Sequence, residues 1–225
     1  MALNSSIFLA GQATSLLTNL GALHRITLVI ATSNSGKFNE IAALLHGLGV
    51  LPLPLDRAGP IEVPPEGGDS FQENAGLKAI AVARASSHFA LADDSGLEVD
   101  ALDGQPGVRS ARFGGPGLSD AERNGLLLEM LQGIPTERRT ARFRCVVAIA
   151  EPQGAARFAE GICEGRIALA PRGSHGFGYD PIFEIPSLGK TFAELGPGIK
   201  NRISHRAKAM DGARAILRGM LDGRA

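Results

Sequence analysis

The sequence predicts an α/β protein built on a mixed sheet, and three observations carry that expectation. Residues 25–31 form a β-branched apolar run that passes through a short polar loop into a helical pattern, the unit from which parallel sheets are made. A second apolar run, His88-Phe89-Ala90-Leu91-Ala92, follows another helical stretch and meets Asp93-Asp94-Ser95-Gly96. Residues 140–150 then alternate cleanly, with Ala141, Phe143, Cys145 and Val147 set against Arg142, Arg144 and Val146. Residues 155–170 read as the antiparallel partner of that half-buried strand. Parallel units early and an antiparallel pair late make the sheet mixed.

The first strand leads into Thr32-Ser33-Asn34-Ser35-Gly36-Lys37. Phe38, Ile41, Ala42, Leu44, Leu45 and Leu48 follow at helical spacing, and Gly49 closes the helix. A small polar loop at a helix start suits a phosphate: free backbone N–H groups and the helix dipole favour the anion, and Lys37 adds a full charge. This is not a Walker A loop, because Ala31 and Phe38 stand where that motif needs a glycine and a hydroxyl. Ser33 or Asn34 serves as N-cap in either case.

A Pro-rich connection carries a short second strand near residues 50–53 and brings in Glu66 on flanking glycines. Glu66 is a candidate metal ligand, and a solvated loop carboxylate is the plain alternative. Ser70 with Glu73 three residues later predicts a capping box and a helix to about Ser87. The strand over residues 88–92 is expected to end at the two aspartates, where open α/β sheets bind ligands. Neighbours in an extended chain point to opposite sides, so Asp93 and Asp94 should differ in role. One would face a cleft to hold a metal or activate water while the other braces the loop; an Asx turn is the competing explanation.

Residues 97–102 alternate as a further strand or ribbon, residues 108–113 fit one helical turn, and Ser119 with Glu122 caps a helix to about Leu131. Gly161 and Gly165 are candidate bulges. In His175-Gly176-Phe177-Gly178-Tyr179-Asp180 the glycines allow a flat ligand to approach backbone beside aromatic rings, an aromatic hairpin corner in the core being the alternative. The run from Lys200 to Lys208, with His205 and Arg206 and no acid, is expected to open a C-terminal helix whose start favours an anion, a basic solvated face being the alternative.

Composition narrows the classes. The 225 residues suffice for one sizeable domain or two lobes sharing a sheet. Basic and acidic residues balance at 23 each, which gives no support to a general nucleic-acid or membrane-surface role. Cys145 and Cys163 lack metal-ligand spacing and fit buried, reduced thiols of a cytoplasmic setting. Residues 1–24, an apolar run interrupted by Gly11, Gln12, Thr14 and Asn19, read as a flexible N-terminal extension before a single domain over residues 25–225, with a packed extra helix or an upstream non-native start codon as the alternatives.

Five segments in order now point to one family: Thr32-Ser33-Asn34-Ser35-Gly36-Lys37, Ser70-Phe71-Gln72-Glu73-Asn74-Ala75, Ala92-Asp93-Asp94-Ser95-Gly96-Leu97, Phe177-Gly178-Tyr179-Asp180-Pro181-Ile182-Phe183 and Ser204-His205-Arg206. The chain resembles the Ham1-like, or inosine triphosphatase-like, nucleoside triphosphate pyrophosphatases. That resemblance implies a long curved mixed sheet flanked by helices, in two lobes with a nucleotide cleft between them. It implies hydrolysis of dITP, ITP and XTP to monophosphate and pyrophosphate, which cleanses the nucleotide pool, with Mg²⁺ and a homodimer. By the same resemblance Thr32, Ser33, Asn34, Ser35, Gly36 and Lys37 grip the triphosphate. Asp94 is proton acceptor and metal ligand, Ser95 contacts substrate, and Phe177, Gly178, Tyr179, Asp180, Lys200, His205 and Arg206 line the nucleotide and base site. Glu66 stands in Pro-Pro-Glu-Gly, where the family often has two glutamates.

Overall fold

The computed structural model describes residues 26–222, and the expected extension over residues 1–24 lies outside them. Strands β1 (Ile26–Ile30), β2 (Val50–Pro54), β3 (Phe89–Val99), β4 (Thr140–Ala150), β5 (Ala156–Ile167), β6 (Phe183–Ile185) and β7 (Lys190–Thr191) form one sheet in the order β2-β1-β3-β4-β5-β6-β7. The β2, β1 and β3 pairings are parallel and the rest antiparallel, so the mixed sheet is as expected. Helices α1 (Ser35–Leu44), α2 (Phe71–Ser86), α3 (Asp120–Met130), α4 (Phe192–Ile203) and α5 (His205–Asp222) flank it.

Each sheet face buries its own core. On one face, Leu28, Ile30, Leu91, Cys145 and Val147 pack against Ile41 of α1 and Ala209, Met210, Ala213 and Leu217 of α5. On the other, Val29, Ala90, Ala92, Val146 and Ala148 pack against Ala75, Ala79 and Val82 of α2. A third cluster joins Leu97, Phe143, Cys163, Phe183 and Phe192 at the far end of the sheet. Fully burying one such Leu, Ile or Val contributes about 1.5–3 kcal/mol, so the alternating faces hold both helix layers.

Five local expectations are corrected. β3 does not stop at Ala92 but runs through the aspartates to Val99, absorbing the expected ribbon, because β4 pairs it along its whole length with Asp93 opposite Val147 and Asp94 opposite Val146. Its parallel partner β1 ends opposite Leu91, so the aspartates still stand where the parallel half of the sheet gives out. α1 ends at Leu44 because Gly47 and Gly49 take positive φ. At α2 only half a capping box forms: Ser70 accepts from the Glu73 N–H, while Glu73 accepts from the Asp69 N–H rather than from Ser70.

Gly161 and Gly165 are not bulges; they sit in unbroken register opposite Cys145 and Ala141. Their role is close approach. A Cβ on Gly161 would fall 2.2 Å from the His205 carbonyl oxygen and 2.3 Å from the Ala209 nitrogen, so only glycine lets the first turn of α5 rest on β5. The basic run spans two helices instead of opening one: Lys200 lies in the last turn of α4, the chain extends at Ser204, and α5 begins at His205. Sequence periodicity did not reveal α4, because Gly196 at φ 69° and Pro197 break its pattern.

Candidate active site

The site forms where β3 outruns β1. Beyond Ile30 the chain turns through Thr32, whose hydroxyl accepts from the Asn34 N–H at 3.2 Å. Asn34 then caps α1 by accepting from the Lys37 N–H at 2.9 Å. Lys37 reaches back across the gap to Asp93, 3.2 Å away. Asp93 faces the α1 and α5 side, Asp94 the α2 side, as their adjacency in a strand requires.

Asp93 is buried and answered by cations. Arg206 Nη2 lies 2.8 Å from its Oδ2 and also donates to the Ser95 hydroxyl at 2.9 Å. Burial by itself would raise the Asp93 pKa, but Lys37, Arg206 and Lys78 outweigh it and hold the carboxylate well below its ordinary range. Arg206 in turn pairs with Glu40, which also meets Lys200 at 2.8 Å. Lys200 completes the chain by pairing with Asp180. The result is a buried lattice of alternating charge in which every cation has a carboxylate.

Asp94 has a different setting. Asn74 Nδ2 donates to its Oδ2 at 2.9 Å and its neighbour Ser95 N–H to its Oδ1 at 3.1 Å, while Lys78 stays 4.0 Å away. Burial pushes its pKa up to about 6, with the negative charge of Glu66 adding and Lys78, Asn74 and Lys37 only partly offsetting. A carboxylate there titrates near neutrality and suits proton transfer. Glu66 is bonded to Lys78 Nζ at 2.6 Å, with Arg112 3.7 Å from its other oxygen.

Asn34, Lys37, Glu66, Asp94, Ser95, Phe177, Gly178, Tyr179, Asp180, Lys200, His205 and Arg206 line one cavity of about 210 Å³. Thr32, Ser33 and Ser35 line an adjoining groove of about 520 Å³ that shares Asn34. Gly36 lies beneath Phe177: a Cβ there would sit 2.7 Å from the ring. Lys200 Nζ stands 4.6 Å from the Phe177 ring centroid and the Arg206 guanidinium 5.8 Å, so the aromatic roofs the cations. Asp180 holds that roof by accepting from the Phe177 N–H at 3.0 Å. His205 stacks on Phe143 at 4.5 Å and 15°, and burial, with Arg206 and Lys200 adding, lowers its pKa so that it is neutral. Tyr179 serves the core as well as the wall: its hydroxyl donates to the Ser110 carbonyl at 2.9 Å.

Sequence reading missed Lys78, Asn74 and Glu40. Lys78 donates to Glu66 and, at 2.8 Å, to the Asp93 carbonyl. Its signal was present: it interrupts the otherwise apolar inward face of α2 one turn after Asn74. The donor set also fits a hard cation. Asp94 and Glu66 offer oxygens in one cavity, and no cluster of three or more His, Cys, Asp or Glu among the described residues would hold a metal unaided. Mg²⁺ characteristically takes one or two carboxylates and completes its shell with water and phosphate oxygens.

An open α/β sheet with paired cations, a carboxylate poised near neutrality and an aromatic roof at the end of its parallel strands has the chemistry to suit a flat, polyanionic ligand and proton transfer beside it. More particularly, the chain belongs to the Ham1 family, whose model matches residues 28–216. A Desulforamulus reducens protein described as dITP/XTP pyrophosphatase is 50% identical over 84% of this chain and 94% of its own length. A Thermus thermophilus protein of the same description is 50% identical over 89% and 95%. The structure of a Ham1 protein from Coxiella burnetii superposes with a TM-score of 0.78 at 42% identity, covering 85% of this chain and 98% of that one.

Proposed function

We propose that this protein hydrolyses non-canonical purine nucleoside triphosphates (dITP, ITP and XTP) to the monophosphate and pyrophosphate. The observation that carries the reading is Asp94, lifted to a pKa of about 6 in a cavity whose other walls are Lys37, Lys200 and Arg206. Homology to proteins described as dITP/XTP pyrophosphatases supplies the substrate class.

Water attacks the α-phosphorus, a new P–O bond forms, and the bond from that phosphorus to the α–β bridging oxygen breaks. The water proton passes to Asp94, and pyrophosphate leaves with the bridging electron pair. Such chemistry depends mainly on positioning and neutralising charge. Lys37, at the start of α1, meets the polyphosphate together with the free N–H groups of residues 35 and 36. Asp93 stays ionised and keeps Lys37 and Arg206 in place. We assign Asp94 and Glu66 to hold Mg²⁺, which when bound neutralises and orients the polyphosphate oxygens. Phe177 stacks on the purine, and neutral His205 with Arg206 faces its 6-position. Donors there accept a 6-keto group and reject the 6-amino group of adenine, since two donors would oppose one another.

The working unit in this reading is residues 25–225, acting in the cytoplasm as a homodimer. Among the described residues no helix is long and apolar enough to cross a membrane. On the α2 face, Leu77 and Phe158 are 47% and 39% exposed and line a groove of about 1330 Å³, a surface a second copy would cover. The deciding assay is turnover of dITP with Mg²⁺, resolved into pyrophosphate and orthophosphate. Pyrophosphate with dIMP is the expected product pair. Orthophosphate would assign the site to a phosphohydrolase, and binding without turnover to a nucleotide-binding module.

A further inference from the structure

The motif around Asn74 is not absorbed by substrate contacts. Asn74 lies in the first turn of α2 and is 1% exposed. Its two amide ends do different work. Nδ2 donates to Asp94 Oδ2 at 2.9 Å, and Oδ1 accepts from the Gly68 N–H at 2.8 Å. Gly68 is two residues from Glu66, and a Cβ on it would lie 2.8 Å from Asn74 Oδ1, so the loop presses directly on the amide. The bonding pattern also sets the amide's orientation, because the Gly68 N–H only donates and an ionised Asp94 only accepts. Aspartate at this position would keep the acceptor but oppose Asp94 with a second carboxylate, and serine is too short to span both groups.

Lys78, one turn further along α2, binds Glu66 itself at 2.6 Å. One face of α2 thus carries two contacts, one to each carboxylate we assign to the metal. We infer that Asn74 is a positioning residue: it fixes the rotamer of Asp94 and tethers the Glu66 loop, so that α2 sets the spacing between the two carboxylates. Partners of this kind orient ligands without touching substrate, and losing one typically costs about 10–100-fold in metal affinity or activity. The inference rests on the roles proposed above for Asp94 and Glu66.

The test compares Asn74→Asp, which keeps size and the Gly68 acceptor, with Asn74→Ala, which loses both bonds. Both are measured on dITP at saturating Mg²⁺, alone and in the Asp94→Asn background. Mn²⁺ affinity is measured separately by electron paramagnetic resonance, with a dITP analogue carrying methylene at the α–β bridge. Expected are a kcat lower by about 10–100-fold, a KM for dITP within about threefold, and Mn²⁺ binding weakened by about 10–100-fold. Because Asn74→Asp keeps the Gly68 tether and alters only the contact with Asp94, it should cost nothing further once Asp94 is Asn, whereas Asn74→Ala should still lose the share carried by the Glu66 loop. A kcat within about twofold of wild type for both variants, or a loss in Asn74→Asp that multiplies with Asp94→Asn, overturns the inference. If Asn74→Ala fails to fold, the isosteric Asn74→Asp carries the comparison. A wild-type protein inactive on dITP would fail the functional reading instead, and the Mn²⁺ measurement would still decide the role of Asn74.

Discussion

The carboxylates of Asp93 and Asp94, adjacent in β3, are held on opposite sides of the ordinary carboxylate pKa. Asp93 meets Lys37 and Arg206 on one face and stays ionised far into acid. Asp94 meets the neutral amide of Asn74 on the other, and burial lifts it to about 6. A single peptide step separates a carboxylate held ionised from one that titrates near neutrality, because the two faces of a strand look into different helices.

Replacing Asp94 by Asn should reduce kcat on dITP by about 10²–10⁴-fold, the usual contribution of a general base. The same change should stabilise the fold. The folded-state pKa of Asp94 lies above its unfolded value, so the charged form costs stability above pH 6, and that cost fades as pH falls from 6 toward 3.8. Urea unfolding in EDTA at pH 7.5 should show Asp94→Asn more stable by about 1–3 kcal/mol, with the gain vanishing near pH 4. A variant within about tenfold of wild-type kcat would remove Asp94 from the chemistry.

The pH profile follows from the same group. In EDTA the Asp94 carboxyl should take up its proton with a midpoint near pH 6, followed by carbon-detected NMR, and added Mg²⁺ should move that midpoint down because a cation favours the charged form. A metal-free midpoint near 4 would remove the raised carboxyl from the functional reading.

Arg206 is committed to Asp93, Glu40 and Ser95 as well as to the roof. Arg206→Ala should therefore cost stability, by about 3–5 kcal/mol, since it leaves buried carboxylates unpaired. Its effect on substrate choice is read separately. If Arg206 faces the 6-keto oxygen, ITP should lose about 1–3 kcal/mol of kcat/KM and ATP much less. An unchanged ITP/ATP ratio in the surviving folded fraction would assign it to the phosphates.

Gly161→Ala should displace the His205–Arg206 turn, because the new methyl would meet backbone atoms of α5 that cannot rotate away. Overpacking of this kind costs about 1–3 kcal/mol or more. Calorimetry should show the lower melting temperature, and the ITP/ATP preference should weaken with it. A neutral substitution would mean that α5 sits less tightly on β5 than the structure has it.

Phe158→Asp places a charge beside Leu77 in the groove on the α2 face without touching the cavity. Light scattering should show a dimer in the wild type and a shift to monomer in this variant. A monomeric wild type would remove the dimer from the functional reading.

Short-range chemistry was legible in the chain. The apolar alternation of residues 140–150 sets which face of β4 is buried, and Ser119 with Glu122 caps α3 by bonds three residues apart. The divergence of Asp93 and Asp94 needed only the two-residue period of a strand. Several site residues were also legible: Asp94, Lys37, Phe177, Lys200, His205 and Arg206 do meet in one cavity. What lay beyond reach depended on partners distant in sequence. β3 continues through two acids because β4, some fifty residues later, supplies its hydrogen bonds, and no local propensity contains that fact. Gly161 looks like a bulge until α5 is laid on it. Asn74 and Lys78 look like ordinary helix residues until Asp94 and the Glu66 loop arrive beside them. Local periods and caps are determined by the chain alone, since their energies act over one turn or one pleat. Protonation states and carboxylate spacing were decided by tertiary structure, because desolvation and charge pairing exist only once distant segments have closed around the group.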